Sequence, residues 1–130
     1  MRTVDLDACT ITFIEPDLVH THFRDHRTVT VEEVQAMFDA IEKESGGGKV
    51  LLMVSVGLGT SMSNEARAFA SSPDSNRYIA ADAIVVRDFG HQLAANVFVR
   101  HHKPTRPIKM FADEAEALAW LRQKRSVIGN

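Results

Sequence analysis

The sequence predicts an α/β fold: a mixed sheet of about five strands, entered through an antiparallel hairpin and continued by parallel strands, with four helices. Three observations carry this reading. Residues 8–14 and 17–23 are rich in Ile, Thr, Phe and Val and flank Glu15-Pro16, the pattern of two strands and a tight turn. The runs Val50–Val54 and Ile84–Val86 are apolar without alternation, as in strands covered on both faces. Around them, apolar residues recur at helical spacing between recognisable start and stop signals. The implied order is β-β-α-β-α-β-α-β-α, its parallel neighbours joined by right-handed crossovers.

Each element has its local cause. Pro16 supplies the fixed φ of the first turn. Thr30 and Glu33 form a capping box, after which Val31, Val34, Met37, Phe38 and Ile41 mark one buried helix face. Gly46-Gly47-Gly48 ends that helix, because glycine enters the left-handed region without strain. Lys49–Val56 is the first buried strand, and Gly57–Ser61 is the loop beyond it. Ser63 then caps a short helix with Met62, Ala66, Phe69 and Ala70 on one face, and Pro73 stops it. Ala80–Arg87 is the next strand. Leu93, Ala94, Val97 and Phe98 describe a further helix, closed by Lys103-Pro104. Ile108–Phe111 is a short third buried strand. Asp113 caps the last helix, with Glu116 at the capping-box position, Leu118 and Leu121 inward and Trp120 at the edge of the core. Residues 126–130 are expected to fray.

At 130 residues the chain is read as one domain, 1–130, and 45% hydrophobic with 25% charged residues is a globular profile. The lone Cys9 excludes an intramolecular disulfide. Asp5 and Asp7 break the first ten residues, so an ordinary secretory signal is not expected, nor is any apolar run long enough to cross a bilayer. The expected location is cytoplasmic. A net charge of −2 gives no case for nucleic-acid binding.

Motifs narrow the function by exclusion. Gly48-Lys49 follows a helix and precedes a strand, the reverse of a P-loop. Gly57-Leu58-Gly59 does lie between strand and helix, but Met62 takes the place of the third glycine of a dinucleotide site, which leaves a turn or a generic anion site. His20 and His22 share one side of a strand and are the residues able to share a metal. No further ligand lies at a signature spacing, so no metal and no cofactor are expected. His101 and His102 diverge on a helix and fit compensation of its dipole. No nucleophile elbow or zincin run is present, Cys9 reads as a small buried hydrophobe, and no enzyme is expected. From Phe89 to Ala112 there is no acidic residue, while Arg100, Lys103, Arg106 and Lys109 are basic. Such a window is either helix-end chemistry or a face for an acidic partner or an anionic membrane surface.

The order of elements resembles the STAS domain of anti-sigma-factor antagonists. At residue level, Ala80–Val86, Asn96-Val97-Phe98, Lys103-Pro104, Ile108–Phe111 and Asp113–Leu121 resemble the SpoIIAA-like (STAS/SEC14-like) family of small bacterial proteins. In STAS antagonists a kinase phosphorylates a serine at the helix start after the third strand, within an Asp-Ser pattern. Here Gly57-Leu58-Gly59-Thr60-Ser61-Met62-Ser63 occupies that place without the Asp. The resemblance implies a non-catalytic regulatory or adaptor domain whose partner is a kinase or other signalling protein. Its contact residues would be Gly57, Gly59, Thr60, Ser61 and Ser63, with the three hydroxyls as phosphate acceptors. The SEC14 likeness implies the alternative, a carrier of a lipid or small apolar ligand in a pocket lined by Phe69, Val97 and Phe98.

Overall fold

The computed structural model describes residues 2–86 and 106–128. In chain order the elements are β1 (Arg2–Asp5), β2 (Cys9–Glu15), β3 (Leu18–Phe23), β4 (Thr28–Val29), α1 (Val31–Ser45) and β5 (Val50–Val56). They continue with β6 (Ser61–Met62), α2 (Asn64–Ala70), a 3-10 turn (Pro73–Arg77), β7 (Ile79–Val85), β8 (Ile108–Phe111) and α3 (Glu114–Ile128). Six strands form one sheet in the order β1-β2-β3-β5-β7-β8, and β4 pairs with β6 in a small sheet of two. The first two pairings, β1 with β2 and β2 with β3, are antiparallel. Those of β3 with β5, β5 with β7 and β7 with β8 are parallel.

The main sheet therefore has six strands where about five were expected. The added strand, β1, is short and largely exposed, with only Val4 turned toward the core. Edge strands with charged residues are common because they blunt pairing with another chain. Three α-helices are described; the helix expected from Phe89 to Lys103 lies outside the described residues. The last helix continues through Ile128, past the expected fraying at 126.

Local signals hold at the helix ends. The Thr30 side chain accepts the Glu33 N–H while Glu33 reaches back to the Thr30 N–H, so α1 opens on a capping box. Gly46 closes it at φ 72°. Ser63 caps α2 by accepting the Ala66 N–H at 3.1 Å. Asp113 accepts the Ala115 N–H at 3.3 Å at the start of α3.

The sheet is covered on both faces, which is why β5 is apolar without alternation. Val50 and Leu52 face α1 and α2 together with Ile11, Phe23, Val34 and Phe38. Leu51 and Met53 face α3 with Leu18, Ala81, Ala83, Ala117 and Leu121. The small side chains of Ala81 and Ala83 let α3 pack close against β7. Trp120 sits at the margin of this second cluster, its ring tilted against Phe111 at 5.6 Å. Arg125 binds both Glu15 and Asp17, which ties α3 to the β2–β3 turn.

Candidate functional site

The carboxyl ends of parallel strands are where α/β sheets bind ligands, and here two loops meet there. Residues 24–30 follow β3, and residues 57–63 follow β5. Gly57 donates its N–H to the Phe23 carbonyl, Leu58 to the Asp25 carboxylate, Ser61 to Arg27 and Ser63 to Val29. In return His26 donates to the Leu58 carbonyl at 2.8 Å. A side chain at Gly57 would strike Asp25, whose backbone nitrogen lies 2.8 Å from the ideal Cβ position. Gly59, at φ 71°, would bring a Cβ to 2.7 Å from the His26 ring. These glycines serve the close packing of one loop on the other. The amides of Gly57, Leu58, Thr60, Ser61 and Ser63 are thereby engaged within the protein.

The three hydroxyls of the loop have different fates. Thr60 is buried and donates to the Arg24 carbonyl, which removes it as an accessible acceptor. Ser63 is committed to capping α2. Ser61 is exposed. At the loop tip Leu58 is 76% exposed, the one large hydrophobic so exposed among the described residues.

Below the loop lies an apolar cavity of about 140 Å³ between the sheet and α1 and α2. Its described walls include Met37 and Phe38 from α1, Leu52 and Val54 from β5, and Ile84 and Val86 from β7 and its end. Thr60, Ser61 and Met62 form the loop side, while Arg67, Ala70 and Ser71 come from α2 and its end. The expected pocket residue Phe69 is not among these walls; it packs on Phe38 with ring centroids 6.1 Å apart. Val97 and Phe98 lie outside the described residues.

A buried ion pair borders this cavity. Arg106 donates from Nε to Asp82 at 2.6 Å, from Nη1 to Ser75 and Asn76, and from Nη2 to the Ala70 carbonyl at 2.6 Å. Arg106 was expected on a basic face, and it is instead 8% exposed. It holds a carbonyl at the end of α2, where a cation is favoured by the helix dipole. Burial pushes the Asp82 carboxyl above its ordinary range, and the Arg106 charge opposes that rise. Of the other expected basic-face residues, Lys109 is exposed with its ammonium 5.3 Å from the Phe111 ring centroid, and Arg100 and Lys103 lie outside the described residues.

His20 and His22 do share a side of β3, and both turn to Ser55. His20 Nε2 and His22 Nδ1 each lie 2.8 Å from the Ser55 Oγ. Period-2 reading foresaw the histidine pair; Ser55, hidden in an apolar run, becomes their partner only through the parallel register of His22 on Ser55. No group of three His, Cys, Asp or Glu side chains able to hold a metal occurs among the described residues. Burial also pushes the Cys9 thiol up to about 11, which makes it a poor nucleophile. Among the described residues no helix is long and apolar enough to cross a membrane.

A solved structure of an uncharacterised protein from Shewanella loihica PV-4, of the DUF3478 family and with a SpoIIAA-like fold, superposes on this chain with a TM-score of 0.60. It is 18% identical and covers 93% of this chain and 99% of its own. At that identity the likeness establishes the fold, which is SpoIIAA-like. No curated protein matches the sequence. A family model for a domain of unknown function, DUF7793, matches residues 12–125, a span that takes in both loops, the cavity walls and most of α3, and the chain therefore belongs to the DUF7793 family.

Proposed function

We propose that the protein is a non-catalytic binding domain that holds a small apolar ligand in the cavity at the carboxyl ends of β3, β5 and β7. The cavity itself carries this reading. Its volume of about 140 Å³ is close to that of an apolar cavity known to take benzene, roughly 150 Å³. The enclosed part of the ligand is thus about one aromatic ring in size, far short of a lipid acyl chain. A ligand bound only by the folded state raises the melting temperature, by an amount that grows with the logarithm of its concentration above Kd. Benzene is expected to raise it increasingly with concentration, and Val54→Phe, which fills the cavity, to abolish the effect. An unchanged melting temperature in benzene-saturated buffer would refute the assignment.

A second reading, a regulatory adaptor that meets a signalling protein through residues 57–63, draws on Leu58. An exposed apolar side chain on a loop pinned by its neighbour is a pre-organised anchor for a partner. Affinity for a partner captured on the immobilised protein should then fall at least about tenfold in Leu58→Ala or Ser61→Asp. Both variants should melt within about 1 kcal/mol of the parent. Unchanged affinity in both would remove the loop from the interface.

A further inference from the structure

We infer that the ligand of the apolar cavity is a monoanion: a small carboxylic acid with a body of about one aromatic ring, its carboxylate seated on Arg67. The inference rests on the cavity reading above and adds the ligand's charge. Arg67, Ala70 and Ser71 recur three and four residues apart, so one side of α2 faces the cavity. Apart from the exposed Ser61, the other polar groups on its described walls are committed. Thr60 donates to the Arg24 carbonyl, Ser71 to the Arg67 carbonyl, and Arg106 neutralises Asp82 while binding Ser75, Asn76 and Ala70. Arg67, half-buried and on the cavity wall, has a guanidinium that makes no hydrogen bond or ion pair with any described residue.

A guanidinium so placed favours an oxyanion, because its planar donors match two carboxylate oxygens and reduced hydration strengthens the attraction. The charge count selects among oxyanions. Among the described wall residues Arg106 is spent on Asp82, so one described cation remains to compensate one negative charge. That fits a monocarboxylate and leaves a phosphate dianion half uncompensated. The apolar remainder of the walls then accepts the ring.

Titration calorimetry of the full chain against benzoate, benzamide and phenyl phosphate, near neutral pH and at low salt, tests this. Benzamide copies the shape of benzoate without its charge. Benzoate should bind at least about tenfold more tightly than either of the others. Arg67→Met should bring benzoate to the level of benzamide and leave benzamide within about threefold of its original affinity. Arg67→Lys should restore part of the preference. Equal binding of benzoate and benzamide, or a preference that survives Arg67→Met, overturns the charge assignment and leaves the cavity reading standing. Tighter binding of phenyl phosphate overturns the choice of a carboxylate. If benzene stabilises the protein but neither benzoate nor benzamide binds, the anion assignment falls alone. If benzene also has no effect, both fall together.

Discussion

Replacing Arg106 by Met leaves the Asp82 carboxyl, 6% exposed, without its cation in the interior. The guanidinium makes four hydrogen bonds, but their losses are unequal. Ser75 keeps its own bonds to the Ala70 and Ser72 carbonyls, and the Ala70 carbonyl keeps the Ser75 hydroxyl. Asp82 loses the partner that balanced its charge. Breaking a buried pair from one side costs about 3–5 kcal/mol, because the remaining charge stays desolvated. Set against a total stability of about 5–15 kcal/mol, that is a large fraction. For a domain of this length it corresponds to a fall in melting temperature of roughly 10–25 °C. The double variant Asp82→Leu with Arg106→Met removes both charges and should recover most of the loss, since an apolar pair of similar volume is often neutral. Urea unfolding followed by circular dichroism, with the slope checked for constancy, reads all three proteins. A loss below about 1 kcal/mol in Arg106→Met, or a double variant no more stable than the single one, would refute the argument that desolvated charge dominates.

Three further outcomes follow from individual side chains. Cys9 is fully buried with its thiol pushed up to about 11, so about one molecule in a thousand carries a thiolate at pH 8; a thiol reagent should label it only after unfolding, and rapid labelling of the native protein would contradict its burial. The Thr21 hydroxyl is buried with no hydrogen-bond partner among the described residues, and Thr21→Val should raise stability by about 1 kcal/mol in urea unfolding, since it removes an unsatisfied group at constant shape. Hydrogen bonds from Arg125 and Arg122 hold Glu15 below its ordinary carboxylate range, so its contribution is present above the unfolded value of about 4.3 and lost as pH falls through the folded one; melting temperatures measured against pH should fall less steeply on the acid side in Glu15→Gln, and an identical slope would show that the pairing adds nothing.

By itself the sequence determined whatever depends on neighbours along the chain. Thr30 with Glu33, Gly46 and Ser63 are caps because the groups they satisfy lie within a few residues, and the structure shows each in that role. The apolar run Val50–Val54 announced a strand buried on both faces for the same reason: its pattern needs no knowledge of which helix covers which face. The position of the 57–63 loop and the shared side of His20 and His22 were legible on the same terms. Tertiary structure decided everything that joins distant positions. Whether Thr60, Ser61 or Ser63 offers a free hydroxyl turned on the Arg24 carbonyl, 36 residues from Thr60, and on the loop packed beneath Gly57 and Gly59. Arg106 looked like one more cation in a basic window until folding set Asp82 beside it, and Ser55 looked like one polar interruption of a strand until the β3–β5 register set it between two imidazoles. Arg67 gained its meaning only when β5, β7 and α1 enclosed an apolar space beside α2. A charge's partner, and hence its energy, depends on distance and desolvation, and both are properties of the folded chain rather than of spacing along it.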